Sequence, residues 1–575
     1  MIGVLAKESD SWAIREFFQL FKTPWKFCQP GEHYDLAIVT LDEIPRNLSA
    51  DAIVLYNSRV LEFDVEFGLT PTSRTENNFI EWQDHVIPVY GNLVAFGCVG
   101  DPLIKLRHTI EVVGGVLRNA PKPSVRIGLD LFCEVALLLT QGQPVENARY
   151  PTLDIHISLL RAIMVTLGVP FIEVPPVPAG YDFMACLTHD VDFVGVRDHK
   201  LDHTMWGFLY RASVDSLLKA VAGRLSWSKC LRNWKAALSL PLVHLRLLDD
   251  FWLEFDRYTE IEKGLGSTYF FLPFKNVVGK LGTASAPSRR AAKYDVLKLK
   301  KQILELINKG CEVGLHGIDA WQDIERARLE KSRIRVITGT QDLGTRMHWL
   351  YWNDGSPQVL EEAGFSYDST LGYNGAVGFR AGTTQPFCPQ GAESLIELPL
   401  NIQDSAMFYS DRMTLSENAA LDACRDLVRS MYLLGGVLTI NWHTRSLSPE
   451  RLWGDFYRRL LQEIQTYRVR FGTAREIVEW FRERRALDFD HVEFTEESVR
   501  VMLNGSKRYA ESLPFVVRVY GSKLMSEKGF VYQMASHTDH RWRGEELLEI
   551  PYSWRKWSCT SDTDLPRVVH VEGTC

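Results

Sequence analysis

The sequence predicts an α/β chain built on a parallel sheet or barrel, and three observations carry that expectation. Over 181–486, short apolar runs alternate with helical segments, the pattern of successive β–α units. Two of the helical segments end on strong stop signals, Lys309-Gly310 and Gly435-Gly436. Side chains capable of chemistry follow the apolar runs, where parallel strands end and loops begin.

Composition bounds the rest. The chain has 575 residues, which at ~100–200 residues per domain is several units. Hydrophobic residues at 46% and charged residues at 24% exclude a disordered or fibrous chain. Lys+Arg numbers 65 against 72 Asp+Glu, a net charge of -7, which argues against a surface built to hold nucleic acid. No stretch approaches the ~18 uninterrupted apolar residues of a spanning helix. The start, Met1-Ile-Gly-Val-Leu-Ala-Lys-Glu, lacks a basic leader and reads as no signal peptide. The 10 cysteines are scattered without a CxxC pair, so neither a thiolate zinc site nor a disulfide scaffold is expected. A reduced, cytoplasmic compartment follows as the expectation.

Three stretches emerge along the chain. The first, 1–175, mixes strand-like runs (Asp35-Leu-Ala-Ile-Val-Thr, Ala52-Ile-Val-Leu-Tyr, His85-Val-Ile-Pro-Val-Tyr) with helices, clearest over 129–140. It reads as an N-terminal α/β domain without a catalytic constellation. Val174-Pro-Pro-Val-Pro-Ala-Gly180 is Pro/Gly punctuation and reads as a linker. The second stretch, 181–486, has strands expected at 183–188, 267–272, 311–315, 395–400 and 436–441, with helices at 294–309, 416–434 and 449–467. The third, 490–575, reads as a small β-rich domain. There, 498–503 meets the hairpin signal Asn504-Gly505, followed by Phe515-Val-Val-Arg-Val-Tyr and Phe530-Val-Tyr-Gln.

Four segments of the second stretch can carry chemistry. Leu187-Thr-His-Asp-Val-Asp192 places two carboxylates one residue apart at a strand end, where one can bind a metal and the other take a proton. A polar loop or helix cap is the competing reading. Cys311-Glu-Val-Gly-Leu-His-Gly-Ile-Asp319 offers His316 and Asp319 as ligands, although a lone His after a strand is more often structural. Gly344-Thr-Arg-Met-His348 alternates Arg346 and His348 onto one side of an extended segment. Such an Arg can orient a carboxylate and such a His can ligate a metal. Gly435-Gly-Val-Leu-Thr-Ile-Asn-Trp-His443 ends a strand on a candidate general acid or a structural His.

The order of these segments resembles the polysaccharide deacetylase family of carbohydrate esterases, over roughly 181–486. Thr188-His-Asp-Val-Asp192 resembles its first motif, Gly314-Leu-His-Gly317 its second, Arg346 its third-motif arginine and Leu438-Thr-Ile-Asn-Trp-His443 its last. Ala363-Gly-Phe-Ser-Tyr-Asp-Ser-Thr-Leu-Gly372 and Gly378-Phe-Arg-Ala-Gly382 are similar to segments of a large-insert bacterial branch. The resemblance implies a distorted (β/α) barrel and a divalent metal, usually zinc. It assigns Asp190 as base, Asp192 and His316 as ligands, His443 as general acid and Arg346 as the residue holding Asp190. The sequence departs from the family where a second histidine should follow His316 by four residues, since that position is Ala320. The third ligand then falls to His348, favoured by the Arg-x-His pairing, with Asp319 as the alternative.

The implied activity is metal-dependent removal of an N-acetyl group from an amino sugar in surface polysaccharide or glycolipid assembly. Deformylation of a lipid-linked formamido sugar, or a silent sugar-binding protein, are the rival readings. Between the first motif and the strand at 267 lies a helical insertion, about 197–262. Over 204–246 it holds seven Lys/Arg against Asp215 alone, with Trp206, Trp227 and Trp234 interleaved. That composition suits peripheral contact with the inner face of a membrane. A hairpin packed on the barrel with a solvated outer face is the alternative.

Overall fold

A strand covered on both faces must be apolar on both, and Phe183–Val191 is buried at every position. It forms the middle of the principal sheet of a computed structural model that describes residues 1–117, 120–495, 497–505, 513–524 and 535–551. On one side follow, in order, Ser267–Phe271, Glu312–Gly317, Thr345–Met347, Tyr367–Asp368 and Ile396–Glu397; on the other lie Val437–Asn441 and then Ile402–Gln403. Val469–Gly472 also pairs with Phe183–Val191, and every pairing in this sheet is parallel.

The sheet is a half-barrel, not a ladder closed on itself. Of the run expected as one strand over 395–400, only Ile396–Glu397 pairs. Pro399 has no N–H to give a ladder, and the next strand, Ile402–Gln403, sits at the opposite edge of the sheet. Residues 398–401 bridge those edges by single backbone bonds: Leu398 to Asp368, Leu400 to Leu371 and Asn401 to Thr439. Helices pack outside. Glu417–Leu434 begins under the Ser416 side chain, which accepts from the Ala419 N–H, and ends at Gly435 with φ 78°. Ala474–Ala486 starts with a Thr473/Glu476 capping box.

The first 175 residues build a second mixed sheet, parallel through Trp25–Phe27, Ile2–Leu5, His33–Val39, Ser49–Tyr56 and Ser124–Ile127 and antiparallel beyond. Asp130 caps the Leu131–Thr140 helix, which therefore starts two residues later than the apolar pattern. Leu371, Ala381 and Phe387 from the barrel region insert into this N-terminal core. Residues 174–178 are buried, so the Pro-rich segment is a packed connection. The fully buried Arg484 donates to the carbonyls of Val174, Pro175, Gln19 and Leu20.

Toward the C-terminus, Ser498–Asn504 pairs with Asp488–Phe494 and Leu547–Pro551, not with Phe515–Leu524. The hairpin is turned earlier, where Thr495 Oγ1 accepts the Ser498 N–H. Phe515–Leu524 instead joins Ala535–Trp542 and Phe171–Glu173. Phe530-Val-Tyr-Gln lies outside the described residues. The insertion is a helical hairpin. His203–Tyr210, a π-turn at Arg211–Asp215 and Ser216–Val221 form one arm, and Trp227–His244 forms the other. Its small core holds Val196, Phe208, Ala212, Val243 and Trp252. Among the described residues, no helix is long and apolar enough to cross a membrane.

Candidate metal centre

Alternation along Phe183–Val191 sends successive side chains to opposite faces. His189 turns into the layer behind the sheet, where it contacts Glu262 and the Trp442 carbonyl. Thr188 and Asp190 turn the other way and meet Arg346, whose Nη1 donates to Thr188 Oγ1 at 2.7 Å and to Asp190 Oδ1 at 3.1 Å. The guanidinium is fully buried, with Ser369 accepting its remaining bonds. Asn441 Nδ2 donates to Asp190 Oδ2 at 2.8 Å. Asp190 is therefore fixed from two other strands, the adjacent Val437–Asn441 and, further along the sheet, Thr345–Met347.

Asp192, one turn of the pleat further on, faces two imidazoles. His316 Nε2 lies 3.3 Å and His348 Nε2 lies 3.4 Å from Asp192 Oδ1. Asp192 Oδ1 is buried and has no hydrogen-bond partner among the described residues. His316 Nδ1 contacts the Arg346 carbonyl at 2.8 Å, which assigns the proton to Nδ1 and leaves the Nε2 lone pair toward Asp192. One donor atom each from Asp192, His316 and His348 lies within 4.8 Å of the others. The segment that carries His348 makes a sharp turn: Trp349 and Leu350 have φ of 64° and 55°. Two successive left-handed residues without glycine cost roughly 1–2 kcal/mol each, strain of the kind found where a side chain must be aimed.

Asp319 is not part of this cluster. Its Oδ1 accepts the Lys280 N–H at 2.7 Å, and its own N–H donates to Glu330. The carboxylate is committed to the strand-end loop, and it is His348 that lies beside Asp192 and His316.

On the far side stands His443, whose Nε2 is 3.8 Å from Asp192 Oδ2. Its Nδ1 contacts Asp404 Oδ1 at 2.6 Å, and Asp404 also accepts the His443 N–H and the Ser446 hydroxyl. Sequence reasoning missed Asp404. It follows Ile402–Gln403, a two-residue strand beyond the run expected over 395–400 and with no apolar run of its own to mark it.

The charges fit this arrangement. Burial raises the Asp192 carboxyl, but His348, His316 and His443 overcome it and hold it far below the usual range. Burial also raises Asp190, which His316, Arg346 and His443 bring back below its ordinary value. Burial lowers His443, yet Asp404, then Asp192 and Asp190, push it up to about 9. Burial takes His348 down to about 3, with His316 and Arg290 adding to it and Asp192 and Asp190 opposing it. The cleft above the four groups holds about 1790 Å³. Trp349, Tyr409 and Arg412 line one part, and Tyr210, Arg224 and Lys229 of the insertion line another.

Neither a protein-family model nor a curated protein matches the sequence. Solved structures do. The chain is similar to a protein of Mycobacterium smegmatis named as a polysaccharide deacetylase, at 18% identity over 54% of this chain and 95% of that one, with a TM-score of 0.34. It is similar to one of the same name from Pseudomonas aeruginosa, at 14% identity over 53% and 92% of the two chains, with a TM-score of 0.32. The allantoinase PuuE matches at 15% identity over 53% and 92%, with a TM-score of 0.32.

Proposed function

We propose that the chain is a metal-dependent amide hydrolase that removes the acetyl group from an N-acetylated amino sugar during surface polysaccharide or glycolipid assembly. One observation carries the reading. Asp192 Oδ1, buried and without a hydrogen bond among the described residues, lies between two imidazole nitrogens and is flanked by Asp190 and His443.

The residues fit a divalent cation held by Asp192, His316 and His348. Two imidazoles and one carboxylate suit zinc, and a three-ligand set is the form that leaves a position open for reaction. Such a cation supplies Lewis acidity toward the amide carbonyl and acidifies water. The chain's own groups do the rest. Asp190, fixed by Arg346 and Asn441 and kept ionised, takes the proton of the attacking water. Asp404 holds His443 by Nδ1, which leaves Nε2 to protonate the departing amine. The cleft wall formed by Trp349 and Tyr409 offers aromatic faces for a sugar ring.

The test is acyl release by the zinc-loaded protein from a panel of N-acetylated and N-formylated amino sugars, free and lipid-linked. Acetate release is the expected result. Formate release alone would make the protein a deformylase, and release of neither would make it a silent binder.

A further inference from the structure

The insertion turns its apolar side chains the wrong way for a soluble hairpin. Of the 29 large hydrophobic side chains exposed among the described residues, 14 fall within 206–248. On Trp227–His244 the exposed set is Trp227, Leu231, Trp234, Leu238 and Leu242, spaced four, three, four and four. That spacing draws one stripe along a helix face. The opposite face carries Cys230, Asn233, Ala236, Leu240 and Val243 and is the one that packs inward. The first arm repeats the device with Trp206, Tyr210, Val214, Leu217 and Val221, again at three- and four-residue steps. Stripes of this kind on a folded monomer mark a surface meant to be covered.

The charge says by what. Of the seven cations in 204–246, Arg211, Lys219 and Lys229 are paired with Glu450, Asp215 and Glu417. Arg224, Arg232, Lys235 and Arg246 have no carboxylate in reach among the described residues. Arg232 and Lys235 are exposed beside the stripe of their helix. A second copy of the chain would set this cationic surface against itself, which is unfavourable. An anionic bilayer takes both features at once, the stripes in its interface and the cations at its headgroups.

From this juxtaposition we propose that the 203–248 hairpin docks the protein on anionic lipid and turns the cleft toward the bilayer surface, so that the acyl amino sugar arrives on a lipid carrier. Tyr210 belongs both to the exposed stripe and to the cleft wall, which makes the docking face and the entrance continuous. The substrate half of this inference rests on the hydrolase reading, and the docking half does not.

Flotation of the full-length protein with mixed phosphatidylcholine/phosphatidylglycerol vesicles, against phosphatidylcholine alone, tests it. Wild type floats with the anionic vesicles, and salt weakens the association. Trp227→Ser/Leu231→Ser/Leu238→Ser and Arg232→Gln/Lys235→Gln/Arg246→Gln avoid the cleft, and each lowers partitioning on the order of 100-fold. Unchanged far-ultraviolet circular dichroism and metal content show that the variants are folded. Absence of flotation, or flotation indifferent to both variants, overturns the proposal. So does a wild-type dimer that the stripe variant dissociates and that does not float. Flotation needs no turnover. A floating protein that releases no acyl group therefore sinks the activity and leaves the docking standing.

Discussion

Asp404 shows how much a single carboxylate can decide at this site. It is fully buried, yet it bonds the ring, the backbone and the following Ser446 of the His443 turn at once. Asp404→Asn keeps the size and loses the charge that holds the imidazole protonated. A fall in kcat of about 100-fold or more is expected, with metal content and KM nearly unchanged. Steady-state rates beside metal analysis check this, and metal loss in the variant would make Asp404 part of the cation's support instead. Asp190, Asp192, His316 and His443 could be found in the sequence because each follows or ends an apolar run, and His348 because it alternates with Arg346. The sequence favoured His348 over Asp319 but could not show why Asp319 stands apart, because the Lys280 loop that takes its carboxylate is distant along the chain.

At the scale of elements, the strands were legible where they are long or buried on both faces. Phe183–Val191, Ser267–Phe271 and Val437–Asn441 fall within a few residues of their apolar runs. Short strands were less so. Ile396–Glu397 is only two residues of the run expected over 395–400, and Tyr367–Asp368, which no apolar run marked, owes its existence to the neighbours it pairs with. Gly344 illustrates such a neighbour. A Cβ there would lie 1.9 Å from the Tyr367 ring, so the strand carrying Arg346 approaches its partner only because this residue is glycine. The Asn504-Gly505 signal misled for a related reason. Local turn chemistry does not choose among strands that are distant in sequence.

At the scale of the molecule, the N-terminal sheet and the half-barrel share a joint built on buried polar groups. Asp154 accepts the Thr384 N–H at 2.6 Å and the Thr383 hydroxyl at 3.0 Å across it. Burial raises the Asp154 carboxyl to about 6, against the bonds from Thr384, Thr383 and Gln385 that lower it. A folded pKa above the unfolded one favours folding while the group is protonated. The contribution is thus complete below about 4 and disappears as pH rises through about 6. Thermal melting from pH 4 to 7 should show Asp154→Asn gaining on wild type as pH rises, whatever its offset from the lost hydrogen bond. A wild-type-minus-variant difference flat across that window would contradict the assignment. The sequence held no sign of this joint, because the composition of 174–180 reads as a linker and its burial does not.

The proposed centre requires segments far apart in the chain to meet around one cation, and metal content of the purified protein tests that directly. Wild type and Asp319→Ala are expected to hold about one zinc per chain, and Asp192→Ala, His316→Ala and His348→Ala close to none. Full metal in His348→Ala with loss in Asp319→Ala, or no metal in wild type after zinc loading, would contradict it.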